Sequence, residues 1–136
     1  METDALSRMV GQFENGTLPK VRWTHTAHIL MALWYCTQYP LPVAVQKIRK
    51  GICDYNVSVG GQNTDASGYH ETITLFFTQQ ITHFLITSGV TMLTDEVIAE
   101  VQRQPFASRE FIHAFYSTER LMSREARRRW VGPDRF

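Results

Sequence analysis

The sequence predicts an all-α fold, a single-domain bundle of about six to seven helices over residues 1–136. Apolar residues recur at i, i+3, i+4 and i+7 in successive segments, the stripe of amphipathic helices. Between those segments stand the residues that start and stop helices, with Thr or Ser at the entries and Gly or Pro at the exits. No stretch alternates polar and apolar residues as a strand would, apart from the weak "NVSV".

The first segment, Asp4 to Asn15, places Leu6, Met9, Val10 and Phe13 on one face, with Thr3 as its expected cap and Gly16 as its end. After "GTLPKVRW", Thr24 is a good N-cap for a second helix reaching about Tyr39 and stopping at "PLP". Pro42 suits the first turn of a third, whose buried side carries Val45, Ile48, Ile52, Tyr55 and Val59. Short connections make these three antiparallel neighbours. The turn-rich stretch "SVGGQNTDASG" then leads into the longest helix, about Tyr69 to Ser88, closed by Gly89. Shorter helices are expected at Asp95 to Arg103, Arg109 to Tyr116 and Arg124 to Trp130, capped by Thr94, Ser108 and Ser123. No repeat, low-complexity tract or domain boundary is visible.

A chain of 136 residues with 43% hydrophobic and 20% charged residues can bury a core without disulfides. Its longest apolar run, Ile29 to Cys36, is too short to span a bilayer, so no membrane partner is expected. The acidic "METDALSRM" does not read as a secretory signal, and Cys36 and Cys53 lack redox or zinc spacing, so the expected compartment is the cytoplasm. A formal net charge of +1 gives no general attraction to nucleic acid. Arg120, Arg124, Arg127, Arg128, Arg129 and Arg135 crowd the C-terminal part, where a solvated basic face is the expectation. Nothing in these faces specifies an oligomeric state.

Histidine placement carries the functional expectation. His25 and His28, at i and i+3, share one helix face with Ile29, Ala32, Tyr35 and Cys36. His70 lies within about 60° of Ile73, Phe77, Ile81 and Phe84 on a helical wheel, and so points inward. His83 and His113 fall on polar faces and are expected to be exposed and idle. Imidazoles on two rigid helices would suit a divalent transition metal, zinc or iron above all, with His25, His28, His70 and Glu71 as ligands. Glu71 would act as an oxygen ligand, as a general base or in fixing a histidine tautomer, and Glu14 is a fainter candidate. The Gly60 to Gly68 loop reads as a lid delivering into His70, and Asn63, Tyr69 and Thr74 are expected to bind substrate. Exposed N–H groups at the start of the long helix favour an anionic group on the ligand.

"WTHTAHI", "GYHETIT" and "RLMSREARRRWVGPDRF" together resemble a family of small, uncharacterised, all-helical bacterial proteins, from about Phe13 onward. The resemblance implies that these histidines recur together, and it brings no activity with it. The leading functional expectation is therefore a small metal-dependent enzyme, hydrolytic or oxidative, acting on a polar or anionic small molecule. The alternatives are a metal-free acid/base enzyme of isomerase or lyase type using His70 and Glu71, or a non-catalytic module that binds a small molecule or a protein.

Overall fold

The computed structural model describes Met1–Phe136 and is all-helical, with seven α-helices and three 3-10 turns. Helix α1 (Thr3–Asn15) buries Leu6, Met9, Val10 and Phe13, and Gly16 ends it in a left-handed conformation at φ 71°. Helix α2 (His25–Gln38) starts at Thr24, whose Oγ1 accepts the Ala27 N–H, and is the most enclosed element. It packs against α1, α3 (Leu41–Ser58) and α4 (Glu71–Thr87). Its burial on nearly every side explains why it is apolar from Ile29 to Leu33 rather than striped.

Helix α5 (Asp95–Gln102) follows, capped by Thr94 as expected. Beyond it the chain is built of short pieces: 3-10 turns at Pro105–Ala107 and Arg109–Ala114, then α6 (Thr118–Leu121) and α7 (Arg124–Arg128). A third 3-10 turn, Lys20–Arg22, precedes α2. A single cluster of buried apolar residues runs from Leu6 to Val131 and unites all seven helices. No helix is long and apolar enough to cross a membrane.

Several local expectations are corrected. "NVSV" is the end of α3, not a strand. The segment from Arg109 is a 3-10 turn, and α6 is an additional helix introduced by its own cap, Ser117. Thr3 lies inside α1, with Glu2 at the cap position. Thr72, a polar residue in the first turn of the long helix, is fully buried, where it is donor to the Arg129 carbonyl and acceptor from the Val131 N–H. The C-terminal arginines are not simply a solvated face. Arg128 pairs with Asp65 through two hydrogen bonds of 2.6 and 2.5 Å, and Arg127 donates to the carbonyls of Gly68 and Tyr69. These contacts strap α7 onto the loop that leads into α4.

Candidate functional site

The stretch "GYHET" forms a junction whose polar groups are used within the protein. His70 is the N-cap of α4, one residue outside the helix in which periodicity placed it. Its Nδ1 accepts the Ile73 N–H at 3.2 Å, and its Nε2–H donates to the Leu121 carbonyl at 2.7 Å. Those two bonds define a neutral tautomer with no nitrogen left over. His70 is 7% exposed, and burial pushes its pKa below the usual histidine value. Glu71 is equally committed. Arg49 grips it with two hydrogen bonds of 3.0 and 2.7 Å, and the Tyr69 hydroxyl donates to it at 2.5 Å. Burial opposes its ionisation, but these donors outweigh that and hold its carboxyl below the ordinary range.

The loop before it is pinned as well. Asn63 Oδ1 accepts the Tyr69 N–H, and its Nδ2 donates to the Cys53 carbonyl, both at 3.0 Å. Gly68 adopts φ 84°, and a Cβ there would lie 1.9 Å from the Gln62 carbonyl oxygen. Only glycine fits that close approach. Asn63, Tyr69, His70 and Glu71 therefore build one clasp, and none of them lines the cavity between α2, α3 and α4.

That cavity, about 460 Å³, opens at the start of α2. Its walls come from α2, α3, α4, the Arg109–Ala114 turn and the end of α6. Ile29, Ile52, Ile73 and Phe77 give it an apolar interior, while Thr24, His25, His28, Thr74, Thr78, Arg109 and His113 supply its polar groups. Of the residues expected to meet at one site, it collects His25, His28 and Thr74.

His28 is held firmly. Its ring lies on that of Trp23 with centroids 3.7 Å apart, and Trp23 in turn stacks on Phe13 at 4.8 Å. Nδ1–H donates to the Thr24 carbonyl at 2.8 Å, which fixes the neutral tautomer and leaves an unprotonated Nε2. That nitrogen makes no bond within the protein, and no buried side-chain nitrogen or oxygen lacks a partner, so Nε2 is accessible. Burial pushes the His28 pKa down to about 4, so the ring stays neutral around pH 7. His25 repeats the arrangement less tightly. Its Nε2–H donates to the Phe106 carbonyl at 3.3 Å, its ring meets the edge of Phe77 at 4.8 Å, and its pKa is lowered, by burial first.

The predicted four-ligand set is not assembled, and no group of three or more His, Cys, Asp and Glu side chains is arranged to hold a metal ion. The physical reason is that both His70 nitrogens and the Glu71 carboxylate are satisfied by other partners. Glu14 accepts the Tyr35 hydroxyl at 2.6 Å, so this carboxylate too is used within the protein. Arg109 and His113 are the cavity residues that sequence reasoning missed. With three residues per 3-10 turn, Arg109 falls in line with the buried Ile112, and His113 is next to it. The apolar pair Phe111 and Ile112, bracketed by Arg109 and His113, was the available signal. No protein family, curated protein or solved structure matches the chain.

Proposed function

We propose that this protein binds a small organic molecule in the cavity at the start of α2, with His28 as the hydrogen-bond acceptor that orients it. The accessible, unprotonated Nε2 of a ring held by Trp23 on one face and by the Thr24 carbonyl at Nδ1 is the observation that carries this reading. A rigid acceptor in an apolar recess rewards a ligand N–H or O–H and costs little ordering entropy on binding. The volume falls in the range of about 300–1,000 Å³ typical of small-molecule sites. With its pKa near 4, His28 is a weak proton acceptor around neutrality, which favours recognition over general-base chemistry.

The reading is tested by recording amide and indole NMR spectra while a library of small fragments is added. Binders should shift Trp23, Ile52 and Phe77 together, and His28→Phe should abolish their binding while the chain stays folded. Binders that consistently perturb other surfaces, or that bind equally well to His28→Phe, would refute it.

A metal-dependent version of the same site is the second reading. His25 and His28 each donate one ring N–H to a backbone carbonyl, the posture in which histidines commonly hold a metal through the other nitrogen. A zinc or iron ion bound there would take its remaining ligands from substrate and water. Elemental analysis of tag-free protein beside His28→Phe and His70→Asn decides this: metal lost only with His28 supports it, whereas no metal after reconstitution rejects it.

A further inference from the structure

We infer that the ligand of this cavity is an amphipathic monocarboxylate, a compact apolar body carrying one O–H or N–H that donates to His28 and one carboxylate that faces Arg109 and the start of α2. The inference rests on the proposed small-molecule site and specifies what that site selects. No Asp or Glu lines the cavity, and its only ionisable groups are Arg109, His25, His28 and His113. Every one of them carries either positive charge or none. A cationic ligand therefore finds no carboxylate in the lining, and an anionic one finds Arg109.

Arg109 is only loosely engaged. Its side chain is exposed and makes no hydrogen bond within the protein, and its ion-pair partner Glu110, 4.0 Å from Nε and equally exposed, is one that a ligand carboxylate can replace. Beside it, the first turn of α2 presents the amides of His25 and Thr26, which have no intrahelical acceptor. Those amides mark the positive end of a 14-residue helix. Two independent features of the mouth thus attract negative charge, and a guanidinium fork matches a carboxylate in shape.

The rest of the lining sets the other half of the chemistry. Ile29, Ile48, Ile52, Ile73 and Phe77 leave the interior apolar, so a sugar phosphate or nucleotide would strand its hydroxyls there. One permanent cation balances one negative charge, not two. A cavity of about 460 Å³ holds roughly ten to fifteen non-hydrogen atoms, the size of an aryl or branched aliphatic acid.

The experiment compares three probes of one shape, each with a phenolic O–H for His28, 3-(4-hydroxyphenyl)propionate, 3-(4-hydroxyphenyl)propionamide and 3-(4-hydroxyphenyl)propylamine, by NMR titration at low salt. The carboxylate should bind about tenfold tighter than the amide, as one charge-assisted hydrogen bond provides, and the amine weakest. Arg109→Gln should weaken the carboxylate to the level of the amide and leave the amide unchanged. Should that variant not fold, raising salt on the wild-type protein gives the second measurement, since it should narrow the carboxylate's advantage. An amide or amine that binds Trp23 and His28 as tightly as the carboxylate overturns the ligand class while leaving the small-molecule site standing. If none of the three reaches the cavity at millimolar concentration, the ligand class is overturned, and the fragment library alone decides whether the small-molecule site stands.

Discussion

His28 and His70 stand at the entries of two neighbouring helices, both neutral and both with pKa lowered by burial, yet they are opposite in chemistry. His70 has used both ring nitrogens, one to cap α4 and one to hold the Leu121 carbonyl. His28 has used one and keeps the other accessible beside a cavity. Inwardness and titratability therefore do not separate a structural histidine from a functional one. What separates them is whether any hydrogen-bonding capacity is left, since a saturated imidazole can neither ligate nor accept from a ligand. The two sites are also connected, because Leu121, the partner of His70, lines the cavity that His28 faces.

That contrast breaks first at His70→Ala, which carries the largest expected effect. The substitution removes an N-cap, worth about 1 kcal/mol, and leaves the Leu121 carbonyl without its donor, at a further cost of about 1–3 kcal/mol. Urea unfolding should show a loss of about 2–4 kcal/mol, and His70→Asn should recover the capping part alone. A loss near zero would mean that His70 is not a structural element. Next comes Gly68→Ala, which combines a left-handed backbone with a collision against the Gln62 carbonyl. It should cost about 1–3 kcal/mol and loosen amide-exchange protection from Asn63 to Ile73. Unchanged protection there would show that the loop is not pinned.

Glu71→Gln should cost less, about 1 kcal/mol, because Arg49 is partly exposed and solvent compensates it. The substitution keeps an oxygen for Tyr69 and Arg49 but removes the charge. Ligand binding in the cavity should be unaffected, as Glu71 does not line it. A large loss of binding with little loss of stability would return Glu71 to the functional role its position in the sequence suggested.

The sequence made the helices legible because their apolar periods and caps are local. Thr24, Thr94, Ser108 and Ser123 all act as caps where they were expected. The site was only half legible, for a reason that Thr72 and His70 share. Their partners lie 57 and 51 residues away, at Arg129 and Leu121, in a segment whose 3-10 turns and short helices carry no strong period. Phase places a side chain inward, but it does not tell what the side chain meets there. The inward turn of His70 was readable, and its saturation was not. His113 is exposed as its polar neighbours implied, and what its phase did not tell is that this exposed face rims a cavity closed by α2, α3 and α4.

The smallest effect on stability, and the sharpest on the comparison, belongs to His28→Phe. Phenylalanine preserves the stack on Trp23, and the Thr24 carbonyl it abandons still accepts the His28 backbone N–H at 3.0 Å. The change at pH 7 should stay within about 1 kcal/mol. Acid should then tell the two proteins apart. His25, His28 and His70 all have folded pKa values below the 6.5 of the unfolded chain, so the unfolded state binds more protons and stability rises with pH. Their contribution is complete above about pH 6.5 and is lost as pH falls, with the part due to His28 declining down to about pH 4. Unfolding free energies between pH 7 and pH 4.5 should fall more gently in His28→Phe than in the wild type, so that the variant gains relative stability in acid. Equal slopes would mean that His28 is not held neutral by its surroundings, and its fixed acceptor, on which recognition in this cavity depends, would be lost with that.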